Sequence, residues 1–519
     1  MLVKEQVFLD QQRGSDNVQI MLEGDLIVPD VKPDMALLLQ TDENVIIDRA
    51  EAGVDRVNYL GRLNISLLYV AKEVNKTVQA IQLTRNIDDF VNLEGVTKDM
   101  WVKARAEIVN MDYRVVNDRK VNYRAVINMS VVAEESAAHE VVVHMNEVPD
   151  NQLLKGNLHL NRTVERRVDK FQIKDQITLP STKPNLGEIL QTSVNISSRD
   201  VRLGAGRANL SGELFITTIY RGDTADTQDS LIELLETELP FNGTIDIAAA
   251  KEDMLADATL QVLDQHITIR PNEDGEDRIL DIEISVGVEV KVYNAETVTV
   301  LEDAYSINQH LHLEKTPVSY PSIVCINRNQ APIKEVVTLG DGAADMLQIF
   351  RVKGQMTVDD IKVIDDKVIA EGAINTDILY VAGSDATPLA SYTTVIPFRQ
   401  VIEAKGAKPG MHVSVLTSID HVAFNMLSPR ETEVRFQLAF NTQVAKEVET
   451  SIISNITIEE MAPELLANQP SMRVYIVQPG DTLWKIAKRY NTPLDEIVAI
   501  NELESPSKIT TGQKLLMLK

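Results

Sequence analysis

Only one cysteine, Cys325, occurs in the 519 residues, so the chain forms no internal disulfide and no thiolate metal cluster. Its apolar neighbours Val324 and Ile326 make it read as a buried strand thiol rather than a nucleophile. Aromatic residues are scarce, at 5%. No apolar run approaches the roughly 20 residues that a membrane span needs. The opening stretch MLVKEQVFLDQQRGSDN has neither an apolar h-region nor a cleavage site, so the expected location is the cytosol. Positive charge is also short: 51 Lys and Arg stand against 77 Asp and Glu, a net −26. That balance argues against nucleic acid and anionic membranes, which need a basic stripe. Solubility is the simple account of it.

Catalytic and metal motifs are missing as well. There is no Gly-rich phosphate loop, no G-x-S-x-G and no H-E-x-x-H. His310 and His312 share one face of a strand pattern but lack a third ligand. Asp359-Asp360 and Asp365-Asp366 read as solvated turns, since no Asp-x-Asp-x-Asp-Gly loop is present. An enzyme is the least supported class, and no cofactor or metal is expected.

What the chain does have is an internal repeat. At an offset of 151, Lys32-Pro33 matches Lys183-Pro184, Leu39-Gln40-Thr41 matches Leu190-Gln191-Thr192, and Gly61, Tyr69 and Phe90 meet Gly212, Tyr220 and Phe241. Gly372, Tyr380 and Phe398 mark a third copy without the Lys-Pro element. An aspartate follows each phenylalanine: Asp112, Asp264 and Asp420. Around the shared Gly and Tyr the apolar period is two, as in Leu63, Ile65, Leu67, Tyr69, and again from Leu280 to Val292, Val121 to Val131 and Val434 to Val444. Such alternation is the mark of a half-buried strand. The fold class is therefore mainly β: three tandem, sandwich-like repeats with antiparallel pairing. Within them the tyrosine reads as core, the glycine as a strand start or bulge, and the aspartate as a turn residue. Pro184 to Leu190 carries a weak helix signal. The expected divisions are 1–155, 156–310 and 311–446. They are followed by an acidic linker, 447–472, holding Pro463 and Pro470, that lets the tail reach away from the body.

The tail, 473–519, has its own pattern. A strand at Val474–Val477 breaks at Pro479-Gly480, and Asp481 or Thr482 is placed to cap a helix carrying Leu483, Ile486, Ala487 and Tyr490. Thr492-Pro493 opens a second helix, with Pro493 at its first position. A polar loop, Asn501 to Ser507, returns to a last strand at Lys514–Leu518. This βααβ run resembles a LysM domain at Gly480-Asp481-Thr482, Leu483-Trp484, Ile486-Ala487, Asn501, Leu503, Ile509, Gly512-Gln513 and Leu515. The resemblance implies a shallow groove for N-acetylglucosamine-containing glycans, chiefly peptidoglycan. Gly480, Asp481, Thr482, Leu483, Ile497, Asn501, Leu503, Ser505 and Ile509 are its candidate residues. Folding alone accounts for many of them. Leu503, Ile497 and Met517 are the candidates for an exposed apolar patch that would favour a protein partner instead.

Three β-rich repeats ahead of one LysM domain resemble the SPOCS-repeat spore-coat morphogenetic family, the SipL type, of spore-forming Firmicutes. That likeness implies a non-enzymatic scaffold made in the mother cell. It would gather at the forespore surface and dock, through its LysM domain, the morphogenetic ATPase of the coat's basement layer. A binder of wall or cortex glycan is the alternative. A hydrolase hidden in a β repeat is a third reading.

Overall fold

The computed structural model describes residues 2–73, 77–145, 151–223, 232–383, 389–462, 472–506 and 508–518. Six strands make the first unit: β1 (Leu2–Ile27), β2 (Met35–Ala52), β3 (Arg56–Ala71), β4 (Val78–Asn92), β5 (Trp101–Asn117) and β6 (Lys120–Met145). The second repeats the order with β7 (Asn151–Thr178), β8 (Asn185–Gly204), β9 (Arg207–Asp223), β10 (Ile232–Asp246), β11 (Leu255–Pro271) and β12 (Asp277–Ser306). The third has β13 (Gln309–Thr338), β14 (Met346–Ile364), β15 (Lys367–Ala382), β16 (Leu389–Glu403), β17 (His412–Ser428) and β18 (Glu431–Glu460).

Each unit is a sandwich of two antiparallel three-stranded sheets, ordered β2-β3-β4 and β1-β6-β5 in the first. The central strands face one another, which is why their alternation is so regular. Leu63, Ile65, Leu67 and Tyr69 of β3 pack against Tyr123, Ala125, Ile127 and Met129 of β6, all buried. Ile282 to Val292 and Val434 to Val444 do the same in the other units.

The outer strands outrun the sandwiches. β1, β7 and β13 are 26, 28 and 30 residues long, about 85–100 Å at ~3.3 Å per residue. A β-bulge falls at an equivalent place in each, skipping Arg13, Val164 and Val324. Bulges bend and twist a strand, so the long hairpins turn there from their own sandwich toward the other units.

Beyond the bulges the three units meet about a quasi-threefold axis. Equivalent residues collect in single clusters: Leu39, Leu190 and Phe350 in one, Val7, Leu158 and Val318 in another, Val142, Leu301 and Ile453 in a third. The hydrogen bonds between units are cyclic. Asp10 accepts from the Thr163 N–H at 2.8 Å, Asn161 accepts from the Ile323 N–H at 2.8 Å, and the Gln11 amide donates to the Ser319 carbonyl at 2.9 Å, closing the ring. A head-to-tail interface that closes in this way makes one body of three repeats.

Several expectations are corrected. Pro184–Leu190 forms no helix; Asn185–Leu190 opens β8. Asp112, Asp264 and Asp420 lie inside β5, β11 and β17, at or near a bulge, rather than in turns. Glu447–Glu460, read as linker, is the end of β18 and pairs with β13 apart from a bulge at Ser454. Pro463 and Pro470 lie outside the described residues. Cys325 follows the β13 bulge and is half-buried, burial pushing its thiol pKa up. Among the described residues, no helix is long and apolar enough to cross a membrane.

Candidate functional site

The terminal domain pairs β19 (Met472–Ile476) with β20 (Lys514–Leu518) and places α1 (Leu483–Tyr490) and α2 (Leu494–Ile500) against one face of that hairpin. Gly480, at φ +82°, makes the turn out of β19, a conformation that suits a residue without Cβ. Thr482 then caps α1, its Oγ1 accepting from the Lys485 N–H at 3.2 Å. Asp481 has a different task. Its carboxylate accepts from the Tyr475 hydroxyl at 2.6 Å and the Gln478 N–H at 2.9 Å, and these bonds hold its pKa below the usual carboxylate range. Pro493 stands at the cap of α2, one place earlier than expected.

The nominated groove residues divide into framework and rim. Leu483 and Ile497 are fully buried in the small core. Leu503 and Ile509 pack against it from the loop. Asn501 is a bridge: its amide donates to the carbonyls of Ile497 (2.8 Å) and Leu516 (2.7 Å) and accepts from the Leu516 N–H (2.7 Å), tying α2 to β20. Ser505 is half-buried, its carbonyl accepting from the Lys508 N–H at 3.1 Å. Exposed rim groups come from two loops, Gly480 and Thr482 on one side, Glu502, Glu504, Pro506 and Lys508 on the other. Ser507 lies outside the described residues.

The apolar patch exists, but other residues make it. Met517 and Ile497 are buried, so neither can contribute. Met472, Val474 and Ile476 are instead 60%, 61% and 49% exposed, alternating along β19 on the side away from the helices. Leu516 lies opposite Val474, and Leu518 opposite Met472. A strand apolar on both faces was the available signal: Arg473 aside, every residue of Met472–Val477 is apolar or aromatic.

The domain does not hang free. Trp484 donates its indole N–H to Asp303 at 2.8 Å, and Lys488, one turn along α1, reaches the same carboxylate. The neighbouring Tyr305 donates to the Thr492 carbonyl at 2.7 Å and meets the Trp484 ring edge-on, centroids 5.0 Å apart. Burial raises the pKa of Asp303, but the hydrogen bonds from Lys488 and Trp484 outweigh it and hold the carboxyl below its usual range. Asp303 and Tyr305 end β12, so the terminal domain is seated on the second unit. Among the described residues, nothing covers its rim loops or its apolar strip.

Three segments, 34–116, 185–270 and 345–427, match the SPOCS domain of the SipL family, and residues 475–517 match the LysM domain. The chain is a SPOCS-repeat protein ending in a LysM domain. Each SPOCS match covers the four strands between the long outer pair: β2–β5, β8–β11 and β14–β17. The long strands that join the units lie mostly outside it. Two curated relatives are similar over 45 residues: Spore coat assembly protein ExsA of Bacillus cereus, 47% identical, and SpoIVD-associated factor A of Bacillus subtilis, 42% identical. The matched stretch is 8% of this chain in both cases, and only 7% and 12% of the two relatives' own lengths. No solved structure matches the chain.

Proposed function

We propose that this SPOCS–LysM chain is a non-enzymatic scaffold of spore-coat assembly. It acts in the mother cell at the forespore surface, and its LysM domain docks a protein there, the morphogenetic ATPase of the coat's basement layer. The apolar strip Met472, Val474, Ile476, Leu516 and Leu518 carries this reading. A flat apolar sheet face suits a protein surface better than a glycan, whose hydroxyls need polar partners. The relatives' names, one for coat assembly and one for association with another protein, support it. The three-unit body serves as a mount, because Asp303 and Tyr305 seat the LysM domain with that strip outward.

The test is a pull-down from sporulating cells with the full chain as bait. Recovery of the ATPase, abolished by Val474→Asp with the fold intact, is the expected outcome. Equal recovery with and without residues 473–519 would remove the idea. Peptidoglycan binding is the second reading, favoured by the polar loops at Gly480–Thr482 and Glu502–Lys508. It requires co-sedimentation with peptidoglycan that Ser505→Arg blocks and Val474→Asp leaves intact.

A further inference from the structure

We propose that the cavity between the second and third units is a binding site for a small oxyanion, a phosphate or a carboxylate, gripped by Arg199 and by Arg105 of the first unit. This inference goes beyond the scaffold reading and does not depend on it.

The cavity, about 630 Å³, is lined from all three units: Arg105 from β5 of the first, Arg199 from β8 of the second, Asp420 from β17 of the third. Arg328 of the third unit stands behind this wall. Three carboxylates line the cavity, Glu107, Glu236 and Asp420, and the buried one, Asp420, is taken by its own unit. Arg328 donates to it at 2.9 Å, Gln330 at 2.7 Å, and Ser418 at 3.1 Å. Arg328 also donates to the Arg199 carbonyl, while its Nε is buried without a partner.

Arg199 is left over. The only hydrogen bond of its side chain among the described residues runs from Nε to the Ile196 carbonyl at 3.3 Å. A guanidinium carries five N–H donors, so most of this one faces the cavity unmatched. Burial lowers its pKa and repulsion from Arg328 and Arg105 adds to the effect, while the charge of nearby Asp420, already hydrogen-bonded by its own unit, opposes it. The Arg105 side chain makes no hydrogen bond among the described residues; it is exposed, and Glu107, two residues along the same strand and also on the wall, is the carboxylate near it.

The remaining charges do not fill the gap. Arg351 and Lys353, also on the wall, are held by Asp42, Glu43, Gln191 and Ser193. Glu236 lines the cavity, but burial raises its pKa, and the charges that oppose this belong to His421 and Arg351 rather than Arg199. The backbone delivers Arg199 on purpose: it lies in the bulge between Ser197 and Asp200, directly after Ser198 at φ +49°. A strained residue that sets a partly buried cation on a cavity wall with no carboxylate hydrogen-bonded to it is accounted for when an anion completes it. Arg forks match the oxygens of phosphate and carboxylate two at a time.

Isothermal titration of the full chain with sodium phosphate, and separately with sodium succinate, at constant chloride tests the site. One saturable site per chain is expected with at least one of the two, and the pair of titrations tells phosphoryl from carboxylate preference. Arg199→Gln and Arg105→Gln should each weaken binding tenfold or more. The unaltered protein gives a second readout: phenylglyoxal labels arginines, and the anion that binds should protect Arg105 and Arg199 but not exposed Arg202. No saturable heat with either anion, unchanged titration of the folded Arg199→Gln chain, or equal labelling with and without the bound anion would overturn the proposal.

Discussion

Gly61, Gly212 and Gly372 recur because the neighbouring strand bulges into the space a side chain would need. A Cβ on Gly372 would lie 2.1 Å from the Thr357 carbonyl oxygen, and one on Gly61 would lie 2.6 Å from that of Ile46. At Gly212 the nearest atoms belong to the Phe241 ring, at 2.8 Å, with the Ser197 carbonyl at 3.1 Å. A ring can swing aside more cheaply than a backbone. Glycine-to-alanine changes should therefore destabilise in the order Gly372, Gly61, Gly212. The first two should cost about 1–3 kcal/mol or more in chemical denaturation. Tyr69 and Tyr220 recur for another reason. Their buried hydroxyls donate to the carbonyls of Pro33 (2.9 Å) and Pro184 (3.2 Å), and burial pushes their pKa up to about 12. The Lys-Pro element and the tyrosine are thus one device. The third unit has Ala344 where the others have proline, and Tyr380 makes no such bond among the described residues. Tyr69→Phe and Tyr220→Phe should each cost about 1 kcal/mol, and Tyr380→Phe less, in the same measurement.

At the scale of elements, alternation was legible because each central strand has one face in the core of its own unit, a local fact that a period of two records. The seat of the LysM domain was not legible. Asp303 and Tyr305 lie in the tail of a long strand with nothing nearby in sequence to mark them, and their hydrogen-bond partners are more than 180 residues away. The same limit explains the groove residues: helical spacing placed Ile497 on an apolar face, but not on which side that face ends up. The seat makes a prediction of its own. Asp303 has a lowered pKa in the folded protein, so its contribution is complete above the unfolded carboxyl value of about 3.9 and is lost as pH falls through the folded value. Docking should hold from pH 5 to 8, within about that range, and loosen only in stronger acid. Two tryptophans are present, so a Trp101→Phe chain reports Trp484 alone. Its emission should shift to the red when Asp303→Asn or Tyr305→Ala frees the indole. Emission identical to the parent in both would mean that the seat is not needed to hold the domain.

For the whole molecule, the puzzle is why three similar repeats close on one another in a fixed order instead of pairing with repeats of other chains. Identity between copies exposed the repeat, but the joint depends on difference. Asp42, Ser193 and Lys353 occupy equivalent places near the axis, and the first and third form an ion pair at 2.9 Å. Gln191 and Arg351 are likewise equivalent and bond at 3.1 Å. A ring of three identical repeats would set three aspartates, or three lysines, against each other there. Both partners of the Asp42–Lys353 pair are largely out of water. Burial opposes ionisation of each, yet Lys353 and Arg351 hold Asp42 below the usual range, and Asp42 and Glu43 hold Lys353 above it. Removing one partner from such a pair leaves an uncompensated charge, at a cost of about 3–5 kcal/mol. Asp42→Lys should therefore destabilise the body by that amount and raise its tendency to associate between chains, and Lys353→Asp should do the same. The double exchange restores opposite charges at the two sites and should recover much of the loss, leaving a coupling well above the few tenths of a kcal/mol seen for independent sites. Denaturation and light scattering of the four chains measure both effects. Additive losses in the double exchange would mean that the ring takes its order from the apolar layers, Leu39, Leu190 and Phe350 among them, and not from the charges.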